Sequence, residues 1–315
     1  MIALEEITAA RARIAGPVMR TPLVPLQVPE ARAEIYLKLE NLQPIGSFKL
    51  RGALNAITQI PQGELADGVV TASAGNMGQG VAWAARELGV RCTVVVPDGA
   101  AETKVAAIER LGGEVVTVPY DEWWEAIATS STPAAAGRFV HPVEDEAVMA
   151  GNGTIGLEVL EDLPGADAIL VPYGGGGLSV GIASAVRALD PTVPVYAVEP
   201  EPAAALTASL AAGEPREVAG TPSFVDGSGS PRVLPKMWLL AREVLSGAFA
   251  VPVDDAAAAV RLLVNRARIV AEGAGALAPA AALAGRAGSG RVVAIVSGGN
   301  IDEAKLSTIL SGATP

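Results

Sequence analysis

Cysteine, histidine and aromatic side chains are scarce in this 315-residue chain, with one Cys, one His and 4 % Phe, Trp and Tyr together. Each shortage removes a class of chemistry. A lone thiol, Cys92, forms no internal disulfide and lends no support to secretion, and its apolar run Cys92-Thr-Val-Val-Val96 predicts an inert buried side chain. A lone imidazole, His141, rules out His-based zinc sites, and its place in Phe139-Val-His141-Pro142 at a predicted strand end suits a structural role. Counting alone leaves a Ser-His-Asp hydrolase open, but no Gly-x-Ser-x-Gly elbow is expected. Positive charge is short as well: 23 Lys and Arg face 34 Asp and Glu, for a net charge of −11. With no basic stripe to offset it, that charge argues against nucleic acid as a partner. Residues Met1 to Gly16 mix Glu5, Glu6, Arg11 and Arg13 in a helical pattern, unlike a signal peptide or a membrane span.

Apolar residues, by contrast, are plentiful. They form 50 % of the chain, enough for a substantial core, and the length suits about two domains. Strand and helix patterns alternate, which predicts a largely parallel α/β architecture. Three turns follow predicted strands and open helices. Gly68 to Ser73 leads into Ala74-Gly75-Asn76-Met77-Gly78 and a helix from Gln79 to Leu88. The run from Ala168 leads into Gly174-Gly175-Gly176-Gly177-Leu178. Val292 to Val296 leads into Ser297-Gly298-Gly299-Asn300 and a helix through Leu310. Glycines let several backbone N–H groups converge on one anion, and a helix start adds its positive end. The four-glycine run lacks the Gly-Lys-Ser/Thr ending of a P-loop and the spacing of a dinucleotide fingerprint; its place between strand and helix argues against a flexible linker.

A fourth turn, Gly46-Ser47-Phe48-Lys49-Leu50-Arg51-Gly52-Ala53, follows a strand predicted over Ile35 to Glu40 and sets one lysine in a small glycine-bounded loop. A lysine held in a packed pocket loses its proton readily and forms a Schiff base with an aldehyde, of which pyridoxal phosphate is the obvious example. In parallel α/β sheets ligands gather beyond the carboxyl ends of strands, so these four turns are expected to line one cleft.

These segments, with Thr21-Pro22-Leu23, Lys38-Leu39-Glu40, His141-Pro142, Gly151 to Leu160, Val198-Glu199-Pro200-Glu201, Asp226-Gly227, Ala271 to Ala278 and Ser297 to Asp302, resemble the fold-type II pyridoxal phosphate enzymes of the serine/threonine dehydratase and serine racemase branch. The resemblance runs nearly end to end. It implies two open, mostly parallel twisted-sheet α/β domains of the tryptophan synthase beta-like type, with pyridoxal 5'-phosphate in the cleft between them. Residues 58–145 correspond to a small mobile domain, inserted into a large cofactor-binding domain made of 1–57 and 146–315. A cytoplasmic homodimer acting on a small amino acid is expected, without the regulatory domain that long biosynthetic threonine dehydratases carry after the segment matching Ser297 to Asp302.

The resemblance also implies residue roles. Lys49 carries the cofactor and then serves as the base at Cα, and Phe48 packs against the ring. Asn76 bonds the ring hydroxyl, Gly174, Gly175, Gly176, Gly177 and Leu178 hold the phosphate, and Ser297 faces the pyridine nitrogen. Ser73, Ala74, Gly75, Asn76 and Met77 form the substrate side, with the carboxylate on the backbone N–H groups. The expected reaction is loss of water and ammonia from a β-hydroxy-α-amino acid such as L-threonine or L-serine; a racemase, a β-replacement enzyme and a silent binding protein are the alternatives. The chain departs from the branch at three places. Ala74 stands where racemases carry a proton-donating serine, and Met77 stands where dehydratases usually carry histidine. At the branch's cation site Glu199 and Ala203 match, but Ala205 replaces the second carboxylate, so no metal is expected and packing of Pro200, Pro202 and the following alanines is expected to hold that loop.

Overall fold

The computed structural model describes residues 1–315, in which ten strands form two sheets. In chain order the strands are β1 (Leu23–Pro25), β2 (Glu34–Leu39), β3 (Val69–Ala72), β4 (Cys92–Pro97), β5 (Glu114–Val118), β6 (Arg138–Phe139), β7 (Ala168–Pro172), β8 (Val195–Pro200), β9 (Gly247–Val251) and β10 (Arg291–Val296). The larger sheet has the order β1-β2-β10-β7-β8-β9 and the smaller β5-β4-β3-β6. Every pairing is parallel except β1 with β2. Helices cover the sheets, so β3 and β7 are buried along their whole length; β7 reads as an unbroken apolar run, and in β3 the one polar residue, Thr71, donates its hydroxyl to the Val140 carbonyl. No helix is long and apolar enough to cross a membrane.

The predicted turns fall at the carboxyl ends of β2, β3, β7 and β10. Cys92 opens β4 and is buried, which pushes its thiol up to about 12 and leaves it inert. His141 is structural: its Nδ1 accepts from the Val143 and Glu144 N–H groups at 3.0 and 2.8 Å, and its Nε2 lies 3.1 Å from the Ile127 carbonyl. Burial lowers its pKa, so the ring is neutral near pH 7.

A buried ionic cluster joins β2 to the two helices behind the Lys49 turn. The helix Lys49–Thr58 is enclosed from Leu50 to Ile57 and lies against the helix Glu146–Asp162, with Gly151 directly over the backbone of Arg51 and Gly52. Arg51 Nε and Nη2 donate to Glu40 at 2.8 and 2.9 Å, and its Nη1 donates to Glu158 at 2.6 Å. Lys38 Nζ sits 2.6 Å from both Glu158 Oε2 and the Thr21 carbonyl. Lys38, Glu40 and Arg51 are each at most 1 % exposed. Burial alone would raise the Glu40 pKa, but the Arg51 guanidinium, the Thr21 hydroxyl and Lys38 together hold it below the usual carboxylate value. Glu40 thus leaves β2 one residue before the predicted end of the strand.

Removing one member of such a cluster strands an uncompensated charge in the core. Arg51→Ala is therefore expected to lower stability by about 3–5 kcal/mol, read as the shift of the urea midpoint. Because the folded pKa of Glu40 lies below its ordinary 4.5, its stabilisation is complete above that value and is lost as pH falls further. The wild-type midpoint should fall in that acid range, and part of that dependence should vanish in the Arg51 variant.

Candidate active site

The backbone brings the Lys49 turn and the Ser297 turn into direct contact. Phe48 N–H donates to the Ser297 carbonyl at 3.1 Å, and Gly299 N–H donates to the Gly46 carbonyl at 2.9 Å. Gly46 has φ +70°, and a Cβ there would come within 2.6 Å of Asn300 Oδ1, so the tight approach requires glycine. Around this junction lies a cavity of about 440 Å³. It is lined by every residue singled out from the sequence: Phe48 and Lys49, Ser73 to Met77, Gly174 to Leu178, and Ser297. Tyr120 and Trp123 of one loop and Asp226 to Ser228 of another also line it. A larger open cavity of about 980 Å³ adjoins it across Asn76, Asp226 and Glu272.

Lys49 opens its helix with Nζ 5.2 Å from the Phe48 ring centroid, and no ion pair or hydrogen bond engages the amine. Burial draws its pKa down from 10.5 to about 8, with Glu272 pulling weakly the other way. A substantial neutral fraction is therefore present near pH 7 to 8, which an exposed lysine lacks.

Two sets of backbone donors face the same space. The N–H groups of Gly174, Gly175 and Gly176 meet no backbone carbonyl, and Gly177 begins a helix that runs to Leu189. Gly176 has φ +99° and no room for a side chain, since a Cβ would lie 2.8 Å from the Tyr173 ring. A Cβ on Gly175 would overlap Val143. This cradle suits a phosphate by charge and by shape. The second set lies at the start of the helix Asn76–Glu87, where the Ala74 N–H is also without a backbone acceptor. Ser73 Oγ accepts from the Gly75 N–H at 3.2 Å, which leaves its own proton to donate. An amine poised for an aldehyde, a phosphate cradle and a second anion site in one cavity fit pyridoxal phosphate with a bound amino acid.

Two features correct or extend the reading of the sequence, the first being a Gly-x-Ser-x-Gly spacing that was not expected. Gly177-Leu178-Ser179-Val180-Gly181 has the Gly-x-Ser-x-Gly spacing of a hydrolase elbow, but Ser179 is fully buried with Oγ turned to the Gly176 carbonyl at 3.4 Å. The ring nitrogens of His141 are engaged elsewhere, so no triad exists. Glu272, inside the quoted segment Ala271 to Ala278 but given no role, is 7 % exposed and borders both cavities. Burial and the nearby Asp226 raise its carboxyl to about 8. Its flanking glycine and alanines hide an ionisable group within an otherwise apolar helix start.

The loop after Val198 has a tie that was not foreseen from the sequence. Glu199 is fully buried, and its carboxylate accepts from the Leu206 and Thr207 N–H groups at 3.0 and 2.7 Å and from the Thr207 hydroxyl at 2.7 Å. It caps the helix Ala205–Ala212, whose own N-cap residue, Ala204, has no side-chain acceptor. Beside the close packing of Pro200 and Ala203 on Gly229, the loop is therefore tied down by the Glu199 carboxylate, whose oxygens are engaged by the Leu206 and Thr207 donors.

Comparison with known proteins agrees with the geometry. Residues 14–298 match the model of the family described as pyridoxal-phosphate dependent enzyme. The chain is 40 % identical to the L-threonine ammonia-lyase of Thermotoga maritima, over 99 % of this chain and 79 % of that protein. It is 39 % identical to the catabolic L-threonine dehydratase of Escherichia coli K12, over 98 % and 96 % of the two chains. The serine racemase structure from Dictyostelium discoideum superimposes with a TM-score of 0.86 at 33 % identity, over 96 % of this chain and 99 % of that one. With the family model covering most of its length, the chain belongs to the pyridoxal-phosphate dependent enzymes.

Proposed function

We propose that the protein is a pyridoxal phosphate-dependent ammonia-lyase that converts a β-hydroxy-α-amino acid, L-threonine or L-serine first among them, to a 2-oxo acid and ammonia. The observation that carries this reading is an unpaired amine, Lys49, with its pKa lowered to about 8 in one cavity with two groups of backbone donors. The threonine ammonia-lyase and dehydratase relatives support the substrate class.

In this reading Gly174 to Leu178 hold the phosphate, Phe48 packs on the ring, Asn76 bonds the ring hydroxyl and Ser297 faces the pyridine nitrogen. When bound, pyridoxal phosphate supplies an aldehyde for the substrate amine and an electron sink for the pair released at Cα. Ser297, a hydroxyl, does not force protonation of the pyridine as a carboxylate would, which suits prompt loss of the β-hydroxyl over a long-lived carbanion. Ser73 to Asn76 bind the substrate carboxylate at the helix start and so orient the Cα proton. Lys49, whose amine has a substantial neutral fraction because it is buried, takes that proton. Loss of the β-hydroxyl as water consumes one proton, matching the one that Lys49 takes from Cα, and the released enamine tautomerises and hydrolyses to the 2-oxo acid and ammonia.

Residues 58–145 act as a small mobile domain closing on 1–57 and 146–315. Two contacts support closure across that division: Lys104 Nζ lies 2.8 Å from Asp226, and the Arg232 guanidinium lies 5.2 Å from the Trp124 ring centroid. A cytoplasmic homodimer completes the reading.

The deciding assay measures 2-oxo acid release by the purified holoenzyme from a panel of β-hydroxy amino acids. Threonine or serine should give turnover, and a protein that binds pyridoxal phosphate yet releases no 2-oxo acid from any member would contradict the reading. Ala74 cannot carry a proton, so pyruvate should form from L-serine at least tenfold faster than D-serine, a difference of about 1.4 kcal/mol in barrier. Chiral chromatography beside the pyruvate assay measures the ratio, and Ala74→Ser should shift it toward D-serine. A separate expectation concerns Lys49: pyridoxal phosphate uptake by the apoprotein should speed up with rising pH and level off above about 8, whereas an ordinary lysine would still be gaining reactivity at 10.

A further inference from the structure

The side chain of Asn76 is gripped from two sides. Asn300 Nδ2 donates to the Ile45 carbonyl at 2.9 Å and to Asn76 Oδ1 at 2.8 Å. The Ile45 carbonyl accepts only, so it sets which end of the Asn300 amide faces Asn76, and this in turn sets the end at which Asn76 carries its oxygen. At the opposite end Asn76 Nδ2 donates to Glu272 Oε1 at 2.8 Å. An amide nitrogen has two protons, so one N–H of Asn76 remains for a ligand in the cavity shared with Lys49 and Ser297.

Glu272 is itself tightly placed. Its backbone N–H donates to the Gly298 carbonyl at 3.0 Å, and a Cβ on Gly298 would overlap its carboxylate. The charged groups that face it are Asp226, Lys104 and Lys49. With its pKa raised to about 8 by burial and by Asp226, it is mostly the neutral acid at pH 7. It therefore accepts from Asn76 without placing a full negative charge beside the amine.

We propose that Glu272 and Asn300 are a pair of positioning residues that lock the Asn76 amide, so that its free N–H is presented to the ring oxygen of bound pyridoxal phosphate. A flipped amide would turn an oxygen toward that oxygen and repel it. The inference rests on the family's cofactor and on the proposed role of Asn76, and it is independent of which amino acid is the substrate. It assigns to Glu272 an electronic effect on the cofactor, because a hydrogen bond to the ring oxygen favours its ionised form.

The test compares Glu272→Ala, Glu272→Gln and Asn300→Asp with the wild type by visible absorption of the bound cofactor across pH, by pyridoxal phosphate affinity and by the thermal midpoint of each apoprotein. Glu272→Ala removes the acceptor. Asn300→Asp removes the donor at nearly constant shape, so it serves even where the alanine variant folds poorly. Both should weaken cofactor affinity about tenfold and shift the visible band, with the Asn300→Asp apoprotein melting near the wild type. Glu272→Gln keeps an acceptor oxygen and should restore the wild-type spectrum while removing the part of its pH dependence that belongs to the carboxyl. An unchanged band with affinity within twofold of wild type in Asn300→Asp would overturn the lock, as would a Glu272→Gln spectrum matching that of the alanine variant. Wild-type protein that fails to bind pyridoxal phosphate would overturn the cofactor assignment beneath it.

Discussion

Arg51, clamped between Glu40 and Glu158 in the core, fixes the start of the helix on which Lys49 sits. The rest of the cleft depends on that constraint. Desolvating a guanidinium and two carboxylates is costly, and the cost is offset only when nearly every donor finds an acceptor. Here all three guanidinium nitrogens are bonded, and Lys38 and Thr21 complete the cluster. One arrangement of β2, the Lys49–Thr58 helix and the Glu146–Asp162 helix meets that condition, so the amine is held in place by a network two residues further along the chain.

Electrostatics in the cleft follow a different rule from that of the core. The core pairs full charges, whereas the donors that suit anions in the cleft are mainly partial charges. Helix starts and unpaired N–H groups are suited to a phosphate and a carboxylate; Lys104, the other lysine lining the cavity, is paired with Asp226, and burial lowers the pKa of Lys49. Glu272, raised to about 8, adds little negative charge for the same reason. A cleft built in this way raises the neutral fraction of a nucleophilic amine while offering donors suited to two anions.

The parts of this structure that the sequence discloses are those whose cause is local. Gly176 needs a left-handed backbone and Gly46 needs space, and both mark their turns by residue type alone. Apolar runs such as Ala168–Pro172 disclose parallel strands because both faces are covered. Buried charges are different, since nothing near Arg51 in the chain reveals that Glu158, 107 residues away, receives it. Glu199 misleads in the same way: its carboxylate caps a helix through Leu206 and Thr207, and only the fold of the loop shows that. Ser179 shows the converse, a motif spacing that burial empties of chemistry. Likewise, the Asn76 amide is legible as a site residue, but its orientation depends on Asn300 and Glu272, 224 and 196 residues away.

The central claim is that one lysine carries the cofactor. Borohydride reduction of the holoenzyme, followed by proteolysis and peptide mapping, tests it most directly. The account predicts a single pyridoxyl-modified peptide containing Lys49, with no label in a Lys49→Ala protein. Label on Lys38, Lys104, Lys236 or Lys305 in place of Lys49 would contradict it.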